Sequence, residues 1–334
     1  MVSRRQLLVR STGALGAWGA FGTFGVSAPA FAQTGLETAR IFAGFAPGGT
    51  VDSVCRRVAD KLRGSYAANT IVENRTGAGG QLAIQATKSA PPDGSTLLLT
   101  PMGMVGIYPH IYKKLPYDPV ADLTPVSLCC TFEHGIAVGP AVPASVRNVA
   151  ELLAWWKANP KSASYGSPGA GAMPHFIGVL LGRTAGIDLT HVPFRGTQPA
   201  VQDMLGGQIP AVCGPLGEFV QHAAAGRLRI LGTSGSKRSR FTPQVATLAE
   251  QGLADLVFSE WFGFYMPPQA SADVVQRLNT ALRAALAMPD VVEGLGLVGL
   301  EASSSSAAEL AALQKRDTER WGPIVKAIGF TADS

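Results

Sequence analysis

Four short glycine-containing segments have the residue types of an anion site. Each follows a strand-like run and precedes a helix-like one: Pro47-Gly48-Gly49, Met102-Gly103, Gly169-Ala170-Gly171 and Arg195-Gly196-Thr197. The amino end of a helix presents unpaired N–H groups and a positive dipole end, and glycine lets the backbone approach a carboxylate or phosphate closely. A tight turn explains any one of these segments equally well. Four at equivalent positions favour a shared anion site.

Two charged residues near these segments are candidates for roles in that site. Arg195 has a guanidinium fork that can pair with a carboxylate, with a solvated surface arginine as the alternative. Asp52 lies in the first turn of the helix after the first glycine pair, where it suits a capping or hinge-side role. The aromatic run from Trp261 to Tyr265 could wall a pocket or belong to the core.

The sequence offers little for catalysis, metal binding or a cofactor. It has no GxxxxGK[ST] phosphate loop, no GxSxG nucleophile turn and no HExxH metal motif. Glu133 and His134 form the one pair suited to acid–base work, but neighbours in a strand face opposite ways. We therefore predict a protein that is not an enzyme and that uses no metal or cofactor.

Strand-like and helix-like segments alternate along the chain. Val51, Val54, Val58 and Leu62 recur with helical spacing after the strand-like run "ARIFAGF". Repeated β-α units predict an α/β fold with parallel-rich sheets covered by helices, and ligands in such folds bind beyond the carboxyl ends of the strands. The four glycine segments stand at those ends. Two such sets of units predict two α/β lobes.

The first 32 residues have the pattern of an export signal. A twin-arginine pair, Arg4-Arg5, precedes a Gly/Ala-rich stretch that ends in the small-x-small sequence Ala30–Ala32. Cleavage after Ala32 predicts an exported, periplasmic protein, by either the twin-arginine or the general secretory route. Without the arginines of this leader the formal charge falls from +5 to +2, which does not favour nucleic acid or an anionic membrane as partner.

The four cysteines do not form a metal-binding pattern. Cys55, Cys129, Cys130 and Cys213 include no CxxC and no zinc-like spacing with histidine. They fit small buried core residues, with one disulfide bridge as the alternative that an exported compartment allows.

Several segments together resemble one known family. The segments "FAPGGTVD", "VENRTGAGG", "APPDGSTLLL", "YKKLPYDPVADLTPVSL", "HVPFRGTQPAVQDMLGGQI" and "EWFGFYMP" occur in this order across nearly the whole chain after the leader. The chain is thereby similar to the Bug-type extracytoplasmic solute receptors of tripartite tricarboxylate transporters. The resemblance implies a periplasmic-binding-protein (Venus-flytrap) fold, with a hinge of crossing strands. It implies lobe 1 over residues 33–131 and 245–334, and lobe 2 over residues 132–244.

The resemblance also implies a monomeric receptor that holds a small carboxylate between its lobes and passes it to membrane permease subunits. A sensory receptor that feeds a kinase would have the same fold and site, and an exported hydrolase is a third, less favoured reading. From the glycine segments and the resemblance together, the predicted ligand-binding residues are Phe45, Ala46, Pro47, Gly48, Gly49, Thr50, Asp52, Met102, Gly103, Gly169, Gly171, Arg195, Gly196 and Thr197.

The chain departs from the family pattern where polar side chains usually meet the ligand. Met102 and Met104 stand in a loop that is usually rich in Thr and Ser, Ala172 and Met173 stand where Ser or Thr is usual, and an aspartate common near Gly214 is absent. We therefore expect an apolar or aromatic mono- or dicarboxylate. The amides of Gly48 and Gly49 would hold one carboxylate with help from Arg195 or Thr197, and the wall would be Met102, Met104, Tyr108, Met173 and Phe194.

Overall fold

The structure is a computed structural model that describes residues 35–332. The predicted export signal, residues 1–32 with its cleavage point after Ala32, lies outside the described residues.

Ten strands build the sheet of the described chain. They are β1 Leu36–Ala43, β2 Ala67–Asn74, β3 Thr96–Pro101, β4 Thr124–Val138, β5 Ser164–Ser167, β6 Thr190–Pro193, β7 Ala211–Pro215, β8 Arg229–Thr233, β9 Ser259–Met266 and β10 Glu301–Ala302. The order across the sheet is β2-β1-β3-β9-β4-β7-β5-β6, and β8 and β10 also pair with β4. The pairs β1–β2, β1–β3, β5–β6 and β5–β7 are parallel, as β-α units require.

The long strand β4 joins two halves of this sheet. We call β1, β2, β3, β9 and β10 the first half, and β5, β6, β7 and β8 the second half. Residues Thr124–Glu133 of β4 pair with β9, and His134–Val138 pair with β7. The change of partner lies close to the predicted lobe boundary after residue 131. The predicted boundaries themselves stay a prediction.

Ten α-helices of residues 35–332 cover the sheet. They are α1 Thr50–Leu62, α2 Gln81–Lys88, α3 Tyr108–Ile111, α4 Val149–Ala158, α5 Met173–Ala185, α6 Thr197–Leu205, α7 Gly217–Ala224, α8 Ala272–Leu286, α9 Pro289–Gly296 and α10 Ala307–Ile328. Ser271 caps α8, since its side chain accepts a hydrogen bond from the Val274 amide. Helix α1 buries the predicted stripe Val51, Val54, Cys55, Val58 and Leu62.

Two local expectations differ from the structure. The segments "LTPVSLCC" and "HGIAVGP" resemble separate strands, but β4 runs through both because Thr131-Phe132-Glu133 between them contains no glycine or proline to interrupt it. The loop expected at Pro101–Met104 leads at once into a π-helical turn, Gly103–Ile107, which continues as α3.

All four cysteines are buried and none is in a disulfide. Cys55, Cys129 and Cys130 pack in the core between the first half of the sheet and helices α1 and α8, and Cys213 packs in the larger core that runs into the second half. Of the two interpretations that the sequence left open, the structure therefore supports the one in which the cysteines are small buried core residues.

Candidate functional site

A cleft lies where the carboxyl ends of strands from both halves of the sheet face each other. Loops after β1, β3, β5 and β6 and the start of α7 form its sides, and β4 and β9 form its floor. Its empty space is about 730 Å³, part of it open to solvent. Parallel strands place their following loops at one edge, which explains why segments far apart in sequence meet here.

Nine of the fourteen predicted binding residues line this cleft: Phe45, Ala46, Pro47, Gly49, Thr50, Gly103, Arg195, Gly196 and Thr197. Gly169 lines an adjoining outer groove together with Phe45, Ala46 and Arg195. Gly48, Asp52, Met102 and Gly171 line neither. Of the predicted wall, Met104 and Tyr108 line the cleft and Phe194 lines the outer groove. Met102 and Met173 are packed in the core, each 1% exposed.

A buried carboxylate organises the first glycine loop. The Gly48 amide and the Arg56 guanidinium each donate to Asp52 Oδ2 at 2.9 Å, and the Asn74 side-chain amide donates to Asp52 Oδ1 at 2.9 Å. The Asn74 amide also lies 3.0 Å from the Phe45 carbonyl. Burial alone would raise the pKa of Asp52, but these hydrogen bonds hold it below its usual range. Asp52 is therefore an ionised support beneath the loop.

The sequence predicts that the amides of Gly48 and Gly49 are free to hold a ligand, but in this structure both already donate hydrogen bonds within the protein. The Gly48 amide donates to Asp52, and the Gly49 amide donates to the Ala46 carbonyl at 3.3 Å. The turn that brings Gly48 to Asp52 needs φ of 81°, a left-handed conformation that glycine adopts without strain. The loop thus presents the amino end of α1 to the cleft, beginning at Thr50.

Arg195 supplies the positive charge of the cleft. It is exposed, it lies between the cleft and the outer groove, and it makes no ion pair with any residue from 35 to 332. An exposed guanidinium at the rim of an apolar cleft is suited to pair with a carboxylate of a bound molecule.

Glu218 reaches across the cleft from α7 in the second half to α1 in the first half. Its Oε1 accepts from the Thr50 hydroxyl at 2.5 Å, and its Oε2 accepts from the Gln198 side-chain amide at 2.7 Å. Burial raises the pKa of Glu218, while hydrogen bonds from Thr50, Gln198 and Thr197 oppose that rise. A protein carboxyl group therefore sits at the amino ends of both α1 and α6.

A second acidic side chain stands on the floor of the cleft. Glu260 of β9 is 5% exposed, and its Oε2 lies 2.9 Å from His134 Nε2, although the geometry is not that of an aligned hydrogen bond. The Gly103 amide approaches Glu260 Oε1 at 3.4 Å. His134 faces the cleft and Glu133 does not, as alternation along a strand requires.

Aromatic rings form the apolar part of the floor. Phe132 of β4 and Phe262 of β9 meet at 4.6 Å between ring centroids in an edge-to-face arrangement. Tyr108 and Met104 from the segment after β3 face the same space. The cleft can therefore cover an apolar or aromatic body of a ligand.

Glu218, Glu260, Gln198, His134 and Phe132 line the cleft but are absent from the sequence-based set. Glu218 could have been found by applying the strand-end rule to β7, since it follows Pro215 by one turn. Glu260 could have been found as the single acid in the otherwise apolar strand "SEWFGFYM".

One Ser–His pair resembles a nucleophile and its base. Ser167 Oγ lies 2.7 Å from His191 Nε2, but Ser167 is fully buried and the pair lines neither the cleft nor the outer groove. The ring of His191 stacks on His175 at 3.9 Å, and no acidic side chain of the described chain hydrogen-bonds to either histidine. The arrangement lacks the accessible nucleophile and oriented base of a hydrolase.

Residues 35–332 contain neither a metal-binding cluster nor a helix that could span a membrane. These residues contain no cluster of three His, Cys, Asp or Glu side chains arranged for a metal ion. Within the same range, none of the helices combines the length and apolar character that a membrane span requires.

Comparisons with known proteins agree on one family. The sequence profile described as "Tripartite tricarboxylate transporter family receptor" matches residues 54–330. A protein of Pseudomonas sp. strain P51, described as the UPF0065 protein in the tcbD-tcbE intergenic region, is 34% identical over 282 residues, which are 84% of this chain and 83% of that protein.

Solved structures of similar proteins share the fold. The periplasmic binding protein BugD has a TM-score of 0.83 at 28% identity, covering 89% of this chain and 99% of that one. MatC from Rhodopseudomonas palustris with bound malate has a TM-score of 0.81 at 28% identity, covering 87% and 99%. R. palustris Rpa4515 with adipate has a TM-score of 0.83 at 26% identity, covering 89% and 98%. The predicted periplasmic-binding-protein fold is confirmed.

Proposed function

The chain belongs to the family of tripartite tricarboxylate transporter receptors, and from this premise we propose that it captures a small carboxylate with an apolar body in its cleft. The receptor would be exported to the periplasm, with its leader removed near Ala32, and would deliver the acid to the membrane permease subunits of such a transporter. It would perform no chemistry on the acid.

The observation that carries this proposal is the composition of the cleft. Arg195, which makes no ion pair with any residue from 35 to 332, stands at its rim, while Phe132, Phe262 and Met104 face its interior. A ligand with one carboxylate for the guanidinium and an apolar body for the rings satisfies both. Two similar structures support a carboxylate as the ligand, since MatC holds malate and Rpa4515 holds adipate.

The proposal is tested on the purified chain without its leader. Native mass spectrometry identifies any acid that is retained, and thermal-shift and calorimetric titrations compare benzoate, hexanoate, adipate, malate, citrate and glutamate. We expect benzoate and hexanoate, which have an apolar body, to bind more tightly than malate, citrate and glutamate. Tight binding of citrate or glutamate together with no binding of benzoate or hexanoate would overturn the proposal.

Arg195 provides the matched variants for this test. Arg195→Gln should weaken binding of the best acid by about tenfold or more, because a charge-assisted pair contributes about 1.5–3 kcal/mol. Arg195→Lys should recover part of that loss, since lysine keeps the charge but not the fork. An unchanged affinity in Arg195→Gln would exclude Arg195 as the carboxylate partner.

Export is tested separately. A cell fraction released by osmotic shock should contain the protein, with an intact mass that corresponds to cleavage near Ala32. Recovery of the full-length chain from the cytoplasm alone would contradict the proposed location, without bearing on the ligand.

A further inference from the structure

One position in the cleft that could hold an anion is already filled by a carboxyl group of the protein. Helices α1 and α6 both begin at the cleft, and neither has a capping side chain from its own N-cap residue, Gly49 or Gly196. The Glu218 carboxyl group stands at both ends, where it accepts from the Thr50 hydroxyl of α1 and from the Gln198 side-chain amide of α6. Two converging helix amino ends would otherwise favour an anionic group of a ligand.

The charges around the cleft limit how many carboxylates it can hold. Among the described residues that line it, Arg195 is the single lysine or arginine, whereas Glu218 and Glu260 are acidic. His134 already lies against Glu260, at 2.9 Å. A first ligand carboxylate can pair with Arg195, but a second one finds no free cation and meets acidic side chains. A buried carboxylate without a partner is strongly unfavourable.

We propose that Glu218 is a specificity-determining residue that makes this receptor select monocarboxylic acids and reject the corresponding dicarboxylic acids. Its carboxyl group takes the position, between the amino ends of α1 and α6, that a second ligand carboxylate would need. This inference rests on the proposed function, because it assumes that the cleft binds carboxylic acids. It adds to the proposed function which class of acid binds and which side chain determines that selectivity.

The test compares matched acids of equal chain length: butanoate with succinate, pentanoate with glutarate, and hexanoate with adipate. In the wild-type chain the best monoacid should bind about tenfold or more tightly than its diacid. Glu218→Ala vacates the position and leaves the Thr50 hydroxyl and the Gln198 amide free to donate. This variant should bind the best diacid about tenfold more tightly than the wild type does, with the monoacid changed by less than about threefold.

Two further variants separate the effects of the charge and the volume of Glu218 from a general effect of removing an acidic side chain. Glu218→Gln removes the charge but leaves the position filled, so its gain for the diacid should lie between zero and that of Glu218→Ala. It also serves as the test variant if melting curves show that Glu218→Ala does not fold, and it should then bind the diacid more tightly than the wild type. Asp203→Ala removes an exposed acid on α6 outside the cleft and should leave both affinities unchanged.

The outcomes distinguish this inference from the proposed function. Wild-type binding of diacids as tight as that of monoacids, or a Glu218→Ala variant that gains nothing for diacids, would overturn the role of Glu218 while leaving carboxylate capture intact. Failure of the wild type and of both Glu218 variants to bind any carboxylic acid of either set would contradict the proposed function, and the inference with it.

Discussion

Individual carboxyl groups in and around the cleft differ in ionisation because their surroundings differ. Asp52 is surrounded by donors, and its hydrogen bonds hold its pKa below the usual range although it is buried. Glu218 has donors too, yet burial raises its pKa. Glu133 has burial and the nearby charge of Glu301 acting in the same direction, which raises its pKa to about 6. The same chemical group can therefore support a loop, fill an anion position or destabilise the fold.

The first prediction concerns the two neighbouring glycines of the first loop. Gly49 has φ of −77° and ψ of 175°, which valine adopts readily, and a Cβ there would meet only the Ala46 carbonyl at 3.4 Å. Gly49→Val should therefore fold but place its side chain where Gly49 lines the cleft, lowering affinity for the best acid about tenfold or more. Calorimetric titration measures the affinity.

Gly48→Ala is the matched control, because Gly48 has φ of 81° and does not line the cleft. Alanine at that conformation should lower the free energy of unfolding by about 1–2 kcal/mol with a smaller effect on affinity. Wild-type affinity in Gly49→Val would show that the loop does not contact the ligand.

The second prediction concerns Glu133, whose Oε2 is buried without a hydrogen-bond partner. The pKa of Glu133 rises from 4.5 in the unfolded chain to about 6 in the folded chain, so the folded chain favours the protonated carboxyl group. The stability that this preference contributes is complete below pH 4.5 and is lost as the pH rises through 6. Glu133→Gln should therefore be more stable than the wild type by about 1 kcal/mol at pH 7.5, a value reduced for partial solvent screening. Urea unfolding at pH 4.5 and 7.5 measures the difference, which should vanish at the lower pH.

The exposed Glu37 of β1 gives a control with the same change of charge. Glu37→Gln should alter the free energy of unfolding by less than about 0.5 kcal/mol at either pH. Equal stability of Glu133→Gln and the wild type at both pH values would mean that the burial of Glu133 has no energetic effect.

At the scale of elements, two stacked histidines hold the loop between β5 and α5. The Gly171 amide donates to His175 Nδ1 at 3.0 Å, and His191 of β6 lies 2.7 Å from the Ser167 hydroxyl at the end of β5. Burial lowers the pKa of His175 to about 4, and burial with the neighbouring His175 lowers that of His191 to about 3. Both rings are therefore neutral in the folded chain at pH 7.

The third prediction is a loss of stability in acid caused by this pair. A histidine whose pKa is lowered on folding contributes stability above its unfolded pKa of 6.5, and this is lost as pH falls through the folded value. The wild type should lose about 3 kcal/mol of unfolding free energy between pH 7 and pH 4 through His175 alone. His175→Asn keeps an acceptor for Gly171 and should flatten this slope. The exposed His110 gives the control, since His110→Asn should keep the wild-type slope.

Most elements could be predicted from the sequence because hydrophobic spacing and glycine turns are local signals. The stripe of α1, the Ser271 cap of α8 and the strand-helix order are of this kind. The continuity of β4 across the sheet could not be predicted, since it depends on β7 and β9 pairing with different parts of one strand. For the same reason the cleft loops were predicted, but the contact between Glu218 and Thr50 was not, because it joins residues far apart in the chain.

At the scale of the whole molecule, two contacts join the helices of the two halves in addition to the long strand β4. Across the cleft, Thr50 and Glu218 are joined by a hydrogen bond. Near the same end of α7, Gly217 packs against the turn that follows α9, and a Cβ at Gly217 would lie 1.6 Å from the Val298 carbonyl oxygen. A backbone approach this close leaves no room for any side chain. The backbone packing of Gly217 against Val298 therefore sets the distance between α7 and the first half in the conformation seen here.

The last prediction is that Gly217→Ala opens the unliganded receptor. The added methyl group cannot fit against Val298 unless α7 moves away from the first half, and that movement also separates Glu218 from Thr50. Small-angle scattering should give a larger radius of gyration than for the wild type, and acid affinity should fall because the closed state becomes less populated. Gly206→Ala is the matched control, since a Cβ there makes only ordinary contacts of 3.4 Å or more. Thr50→Val removes the hydrogen bond but keeps the Gly217 packing, so it should leave the radius of gyration and the monoacid affinity close to those of the wild type. A wild-type radius of gyration in a folded Gly217→Ala chain would show that the halves do not close through this contact.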